Sequence, residues 1–224
     1  VSSTPFPALN RLADGWLERW PQVRGVTLNL QPRRTNLVLG SETHQLAGGS
    51  FIAEQFCELT LELATTTFFQ INTPQAERVV DRIGDWLMDQ RPQGRVIDAY
   101  CGIGTISLPL ARRGLQVFGI EINPDSIDQA RGNAARNGLD DCTAFVAGDV
   151  AALLRAELQN CGALVLDPPR RGLDASVVDA IRETPPQLLV YLSCDVATQS
   201  RDLKRFLAPE GCYALEQLRP IDFF

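Results

Sequence analysis

The chain has 224 residues, 45% of them apolar and 21% charged, values typical of a globular chain of one large domain or two smaller ones. They exclude intrinsic disorder and collagen-like repeats, and no apolar run approaches the ~18 residues that a membrane span requires. The net charge of −6 disfavours a free-standing nucleic-acid binder, because phosphate neutralisation by a basic surface usually dominates such affinity. With no signal-like N-terminus, we expect a cytoplasmic monomer without membrane partners.

Three kinds of chemistry are disfavoured by residue counts. The chain has a single histidine, His44, which excludes a multi-histidine metal site, and a single lysine, Lys204, which disfavours Schiff-base chemistry. Its 6 cysteines contain no CxxC pair, so we expect reduced thiols and no metal in this chain. A Walker A pattern is also missing from the sequence.

Residues 1–70 predict a small α+β domain. An amphipathic stretch from Leu9 to Trp20 predicts a helix, and alternating segments at 25–30, 36–39 and 58–64 predict strands. A helix predicted at 73–89 then leads into a second domain, residues 71–224.

The second domain alternates short apolar runs with amphipathic stretches, which predicts an α/β fold with a mainly parallel sheet. Pro124 indicates a helix start, and Gly114, Gly138 and Gly211 indicate helix ends. The predicted strands are 95–98, 117–121, 143–147, 163–167, 187–193 and 212–218. The predicted helices between them are 104–113, 124–137, 149–158, 174–183 and 196–207.

The most specific local pattern is the sequence VIDAYCGIGT at 96–105, a strand that passes through Gly102 and Gly104 into a helix. The next strand ends in Glu121, whose carboxylate can accept hydrogen bonds from ribose hydroxyls. A dinucleotide fingerprint would have a third glycine where Ser107 stands, so the loop need not bind pyrophosphate. S-adenosylmethionine, a nucleoside ligand without phosphate, suits this arrangement. Asp149 closes the third strand, either near the adenine amino group or as a helix N-cap.

Two later strands end in reactive or charged groups. The fourth ends in the sequence DPPRRG at 167–172, in which prolines stiffen the exit from the strand and fix Asp167 at the carboxyl edge of the sheet. The fifth is followed by Cys194, just before a helix, where a thiol can have a lowered pKa. Because this strand is predicted beside the one that carries Asp167, we expect Cys194 to face the cofactor.

These motifs together resemble the RNA uracil-5-methyltransferase family, which makes 5-methyluridine in ribosomal or transfer RNA. The similarity extends over nearly the whole chain and rests also on the sequences FFQIN at 68–72 and YLSCDVAT at 191–198. It implies a class I S-adenosylmethionine-dependent methyltransferase fold, with S-adenosylhomocysteine as product. The contacts with S-adenosylmethionine implied by the resemblance or by the loop pattern are Gln70, Tyr100, Gly102, Gly104, Thr105, Glu121, Asp149 and Asp167.

The resemblance further implies that Cys194 is the nucleophile. C5 of uracil is a poor nucleophile, so a thiolate adds to C6 and generates an enolate that accepts the methyl group at C5. A base then removes the C5 proton and the thiolate is eliminated. The substrate is expected to be RNA, with rRNA favoured over tRNA, and Arg33, Arg34, Arg170 and Arg171 are the candidate RNA contacts.

The sequence departs from the family pattern in three places. Val196 replaces a proline after the SCD triplet, the chain stops at Phe224 before the expected glutamate base and last strand, and no OB-like RNA-binding domain precedes Val1. We therefore expect a catalytic-core fragment of a longer protein.

Two alternatives stay open at this level. One is methylation of another RNA atom, such as cytosine C5 or an exocyclic nitrogen, although nitrogen methylation usually has an aromatic residue where Arg170 follows the two prolines. The other is a cofactor-binding module without turnover, because the expected base is missing.

Overall fold

A computed structural model describes residues 8–32, 39–207 and 209–223. The chain divides into two compact units, one formed by Val1–Glu54 with Leu61–Phe69 and the other by Gln55–Thr60 with Gln70–Phe224. No helix in the described ranges is long and apolar enough to cross a membrane.

The described part of the first unit contains a helix and an antiparallel pair of strands. Helix α1 (Leu9–Arg19) precedes β1 (Gly25–Leu30), which pairs antiparallel with β2 (Glu42–Gly48). A second two-stranded sheet is formed by β3 (Phe51–Phe56) and β4 (Leu59–Ala64). The predictions of α1, β1 and β4 are confirmed.

The strands β2 and β3 are not among the predicted ones. Most of their side chains are exposed, so neither strand shows the alternation of apolar and polar residues that a half-buried strand produces. Of the predicted strand at 36–39, residues 36–38 lie outside the described residues and Leu39 is not in a strand.

The second unit alternates helices and strands from residue 73 onward. Its elements are α2 (Thr73–Gln90), β5 (Arg95–Ala99), α3 (Ser107–Arg112), β6 (Val117–Glu121), α4 (Pro124–Arg136), β7 (Thr143–Ala147), α5 (Val150–Glu157), β8 (Cys161–Leu166), α6 (Ala175–Glu183), β9 (Leu188–Tyr191) and α7 (Val196–Leu207). Short 3-10 turns at Asp140–Cys142 and Leu158–Asn160 precede β7 and β8. The α/β class and each of these helices and strands were predicted, with ends that differ by a few residues.

The five strands form one parallel sheet in the order β7-β6-β5-β8-β9. Every residue of β8 is buried and most of β5 is too, as expected for central strands that are covered by helices on both faces. The core includes Ile97, Ile120, Leu154, Leu164 and Leu166, all fully buried.

The strand predicted at 212–218 is wrong, because the segment has no regular structure. A strand forms only when its backbone groups have a neighbouring strand to bond, and β8 is the only described strand beside β9. The segment is instead anchored by Tyr213, whose hydroxyl donates to the Pro186 carbonyl oxygen at 2.9 Å and whose ring packs edge-on against Phe206.

Candidate active site

The register of the parallel sheet brings the predicted site residues to one edge. Ala99 of β5 lies opposite Ile120 of β6 and Leu166 of β8, and Leu166 lies opposite Tyr191 of β9. The residues that follow this row therefore leave the sheet side by side. They are Tyr100, Glu121, Asp167 and, three residues beyond β9, Cys194.

The loop after β5 owes its shape to residues with positive φ. Tyr100 has a φ of 71°, Gly102 of 54° and Gly104 of 89°. Apart from its two chain neighbours, no described residue has an atom within 4 Å of where a Cβ on Gly102 would be, whereas a Cβ on Gly104 would come within 3.0 Å of Leu108 Cγ. Gly102 thus leaves one side of the loop open, and Gly104 allows the loop to pack against α3. This turn delays the helix start to Ser107, later than the predicted residue 104.

Glu121 is held at the mouth of this loop by two backbone N–H groups. Its Oε2 accepts from the Gly102 N–H at 3.3 Å, and its Oε1 accepts from the Asn123 N–H at 2.9 Å. Both oxygens keep a second lone pair, which is the arrangement needed to accept hydrogen bonds from a ribose diol. Asn123 also caps α4 through its side chain, so the turn after β6 is fixed on both sides.

Asp98 is a fully buried carboxyl group directly behind the loop, and it was not among the predicted site residues. Its Oδ2 accepts a 2.6 Å hydrogen bond from the Ser107 hydroxyl, while Oδ1 is buried without a partner among the described residues. Burial raises the pKa of Asp98 to about 7; the Ser107 bond opposes this rise, and the nearby charges of Asp167 and Glu121 add to it.

Asp167 extends the acidic row beyond β8. Its side chain retains access to solvent, yet loss of hydration raises its pKa to about 6. Asp149 is exposed and caps α5, where its Oδ1 accepts from the Ala151 N–H at 2.9 Å. The remaining carboxylate oxygen is not used by the cap.

Cys194 is exposed and lies in a short turn between β9 and α7. The Ser193 hydroxyl donates to the Asp195 carbonyl oxygen at 2.9 Å and accepts from the Asp195 N–H at 3.2 Å. Asp195 Oδ1 accepts from the Thr198 N–H at 2.8 Å, and this bond is the main reason that the pKa of Asp195 is lowered. The backbone on both sides of the thiol is therefore fixed.

The other predicted contacts are less closely tied to this edge. Gln70 and Thr105 are half-buried, and burial raises the pKa of Tyr100 to about 12. Arg170 and Arg171 are exposed, and Arg171 forms an ion pair with Asp174 at 3.1 Å. Arg33 and Arg34 lie outside the described residues.

These groups fit a cationic nucleoside better than a phosphate. Three carboxyl groups that are not fully buried, those of Glu121, Asp149 and Asp167, end or follow strands at the carboxyl edge of the sheet. Carboxylates repel phosphate but attract ammonium and sulfonium charges and accept hydroxyl donors. S-adenosylmethionine carries both kinds of group. Among the residues that the structure describes, no cluster of His, Cys, Asp and Glu is suited to hold a metal ion.

The structure identifies one further group, Asp202, that was not among the predicted site residues. Asp202 on α7 is 1% exposed, and its carboxylate is hydrogen bonded to residues of three segments. The sequence signal is weak but present: Asp202 lies one turn before the buried Phe206, on the face of an amphipathic helix where an apolar residue is expected.

Comparison with known proteins supports the same reading of the fold. Over its full length the chain is 65% identical to a protein named as an RNA methyltransferase of Parasynechococcus marenigrum and 41% identical to one of Thermosynechococcus vestitus. The chain covers 48% and 49% of these proteins, so it spans about half the length of the curated relatives it matches.

Two solved structures share the architecture. A tRNA (uracil-54, C5)-methyltransferase of Pyrococcus abyssi, in complex with S-adenosyl-L-homocysteine, is 25% identical with a TM-score of 0.71, over 84% of this chain and 46% of that one. A SAM-dependent methyltransferase of Agrobacterium tumefaciens, 15% identical with a TM-score of 0.61 over 87% of this chain and 68% of that one, shares the fold.

The predicted fold class, that of class I S-adenosylmethionine-dependent methyltransferases, is thereby confirmed. The sequence model described as "Methyltransferase domain" matches residues 90–219, more than half of the chain and all of the parallel sheet. The chain therefore belongs to the methyltransferase domain family.

Proposed function

We propose that the protein transfers a methyl group from S-adenosylmethionine to C5 of a uridine in RNA, through a covalent bond between Cys194 and C6 of the base. RNA as the substrate class is supported by the names of the relatives, and uracil C5 by the name of the Pyrococcus abyssi enzyme. The observation that carries the proposal is the pairing of Leu166 with Tyr191, since the segments that follow these residues carry Asp167 and Cys194.

The acidic edge is proposed to hold the cofactor. Glu121, fixed by the Gly102 and Asn123 N–H groups, has lone pairs free for the ribose hydroxyls. The open side of Gly102 gives the ligand room at the loop, and Asp149 and Asp167 supply further acceptors at the same edge. When bound, S-adenosylmethionine supplies an electrophilic methyl group on a sulfonium.

Cys194 is proposed to activate the base. Its thiolate Sγ forms a bond to C6, and the electrons of the C5–C6 double bond move toward the C4 carbonyl as an enolate. C5 of this enolate has the electron density to accept the methyl group, with S-adenosylhomocysteine as the leaving group. A general base then takes the C5 proton, and the electrons of the C5–H bond re-form the C5–C6 double bond as the C6–Sγ bond breaks and frees Cys194.

A fluorinated RNA tests the nucleophile directly. Fluorine at C5 cannot be removed as a proton, so methylated 5-fluorouridine RNA should stay bound to Cys194 as a complex that survives denaturing electrophoresis. Cys194→Ala should form none, whereas Cys212→Ala, which removes the other exposed thiol, should form as much as the unchanged protein. A complex that persists in Cys194→Ala would overturn the assignment.

A nucleoside digest tests the methylated atom. After reaction with rRNA and with tRNA, both from cells that lack the enzyme, mass spectrometry should find 5-methyluridine in one of the two. Methylcytidine or an N-methylated base instead would overturn uracil C5 as the target. The same reactions distinguish rRNA, which is favoured from the sequence, from tRNA.

A further inference from the structure

Helix α7 joins the segment that carries the candidate RNA contacts Arg170 and Arg171 to the turn that carries the proposed nucleophile Cys194. These are the loop Arg170–Leu173, called here the 170 loop, and the turn Ser193–Asp195, called here the thiol turn. The strands before them are adjacent, and the Leu192 N–H donates to the Leu166 carbonyl oxygen at 2.8 Å. Beyond that bond, side chains in the first two turns of α7 link the segments.

Asp202 is the most buried of these side chains. Its Oδ2 accepts from the Leu173 N–H at 2.9 Å and from the Tyr191 hydroxyl at 2.8 Å. Its Oδ1 accepts from Arg201 Nε at 2.8 Å. A buried carboxylate is stable only when its oxygens are satisfied, and here one group joins β9, the 170 loop and α7.

Arg201 and Thr198 bind the carbonyl groups of the same loop. Arg201 Nη2 donates to the carbonyl oxygens of Arg171 at 3.0 Å and Leu173 at 3.3 Å. The Thr198 hydroxyl donates to the Arg170 carbonyl oxygen at 3.2 Å. Three of the four carbonyl groups in the loop are thus held by α7.

Thr198 also contacts the thiol turn. Its N–H donates to Asp195 Oδ1 at 2.8 Å, and its hydroxyl lies 3.1 Å from the Asp195 carbonyl oxygen. One residue therefore bonds the side chain of Asp195, next to Cys194, and the backbone of Arg170. Arg170, an exposed cation, also acts electrostatically on Asp195.

We propose that Thr198, Arg201 and Asp202 are positioning residues, which hold Arg170, the candidate RNA contact, in a fixed place relative to the proposed nucleophile Cys194. This inference rests on the proposed function. None of the three has a hydrogen bond to the cofactor edge among the described residues, although the charge of Asp202 acts on Tyr100. Asp167 is fixed separately by β8 and the prolines that follow it. Loss of the hydrogen bonds from these residues to the 170 loop should therefore affect the reaction with RNA and not the binding of the cofactor.

The test compares Thr198→Val, which keeps the shape but removes the hydroxyl, with Thr198→Ser, which keeps the hydroxyl. With 5-fluorouridine RNA and S-adenosylmethionine, we expect Thr198→Val to form the covalent complex about tenfold more slowly, the effect of one hydrogen bond. Thr198→Ser should stay within about twofold of the unchanged protein, and Asp202→Asn should be slowed at least as much as Thr198→Val. The affinity for S-adenosylhomocysteine, measured by calorimetry, should change by less than about threefold in both Thr198 variants.

Two results would overturn the inference. An unchanged rate in Thr198→Val would remove the positioning role, and a parallel loss of rate and cofactor affinity would show a general structural role instead. If Asp202→Asn does not fold, the comparison of Thr198→Val with Thr198→Ser still tests the inference. Failure of the proposed function looks different, since the unchanged protein would then form no complex through Cys194.

Discussion

The Ser107 hydroxyl donates a 2.6 Å hydrogen bond to one oxygen of the fully buried Asp98 carboxyl group. The other oxygen is buried without a partner in the described part of the chain. This carboxyl lies behind the glycine loop and near Asp167 and Glu121. Its ionisation therefore changes the charge next to the loop and the free energy of unfolding.

Asp98 should make the protein less stable as the pH rises. Its pKa of about 7 in the folded chain exceeds 3.8, the value expected after unfolding, so the folded state binds more protons between these values. The stabilisation that Asp98 contributes is therefore fully present below its unfolded pKa of 3.8 and is lost as the pH rises through about 7. Between pH 5.5 and 8 we expect a loss of about 2 kcal/mol in the free energy of unfolding, measured with urea.

Asp98→Asn should remove most of this slope, because the amide keeps an acceptor for Ser107 but does not ionise. A smaller slope of the same sign should remain from Asp167, whose pKa is also raised, to about 6. Asp128→Asn, a change at an exposed carboxylate, serves as the control. A slope equal to that of the unchanged protein in Asp98→Asn would contradict the prediction.

Gly102→Ala should weaken cofactor binding more than its effect on stability explains. Gly138 is the matched control, since its φ of 65° is close to the 54° of Gly102 and no described atom would contact a Cβ at either position. Each alanine should cost about 1 kcal/mol of stability from left-handed strain. Calorimetry with S-adenosylhomocysteine should show at least a tenfold weaker affinity, about 1.4 kcal/mol, for Gly102→Ala alone.

Equal affinities for these two alanine variants would mean that the open side of the loop does not receive the ligand.

Asp149 should show separable roles as a helix cap and as a cofactor contact. Asp149→Ala removes the acceptor for the Ala151 N–H and should cost about 1 kcal/mol of stability, whereas serine caps helices well and should cost little. Both variants should bind S-adenosylhomocysteine about tenfold more weakly, since neither reaches the adenine amino group. If Asp149→Ser restored affinity as well as stability, Asp149 would be a cap only.

Gly172→Ala should destabilise the chain by more than left-handed strain alone. Gly172 has a φ of 76°, and a Cβ there would lie 2.6 Å from both Arg201 Nη2 and Asp202 Oδ2. Gly114→Ala is the comparison, since Gly114 has a φ of 90° and no described atom beyond its chain neighbours lies within 4 Å of a Cβ there. Relative to it, we expect Gly172→Ala to lose an additional amount of about 1–3 kcal/mol, the cost of overpacking, in the free energy of unfolding, measured with urea. Equal losses of stability at the two positions would show that Arg201 and Asp202 can move away from a Cβ on residue 172 at no cost.

Much of the second unit was predictable because its signals are local. Central parallel strands are continuous apolar runs, and Pro124, Gly114 and Gly138 mark helix limits that the structure confirms. Parallel strands also place their carboxyl ends at one edge, so the proximity of the segments after Leu166 and Tyr191 followed from strand order. The roles assigned to the residues at that edge stay predictions.

The failures share one physical cause, which is that the outcome depended on partners elsewhere in the chain. Strands β2 and β3 expose most of their side chains and so give no alternating signal, and residues 212–218 are mostly apolar but have no described neighbouring strand to pair with. The burial of Asp202 gives only a weak local signal, since a charged residue on a helix face is normally solvated.

The sequence by itself determined the α/β class, the glycine loop, the acidic strand ends and the cysteine before α7, because the signal for each comes from residues that are close in sequence. Only the tertiary structure decided which of these groups are buried and which side chains satisfy them. It left one oxygen of Asp98 without a described partner and gave the carboxylate of Asp202 donors from three segments. Burial and hydrogen bonding depend on residues far apart in sequence, so they are fixed only when the sheet and α7 have packed.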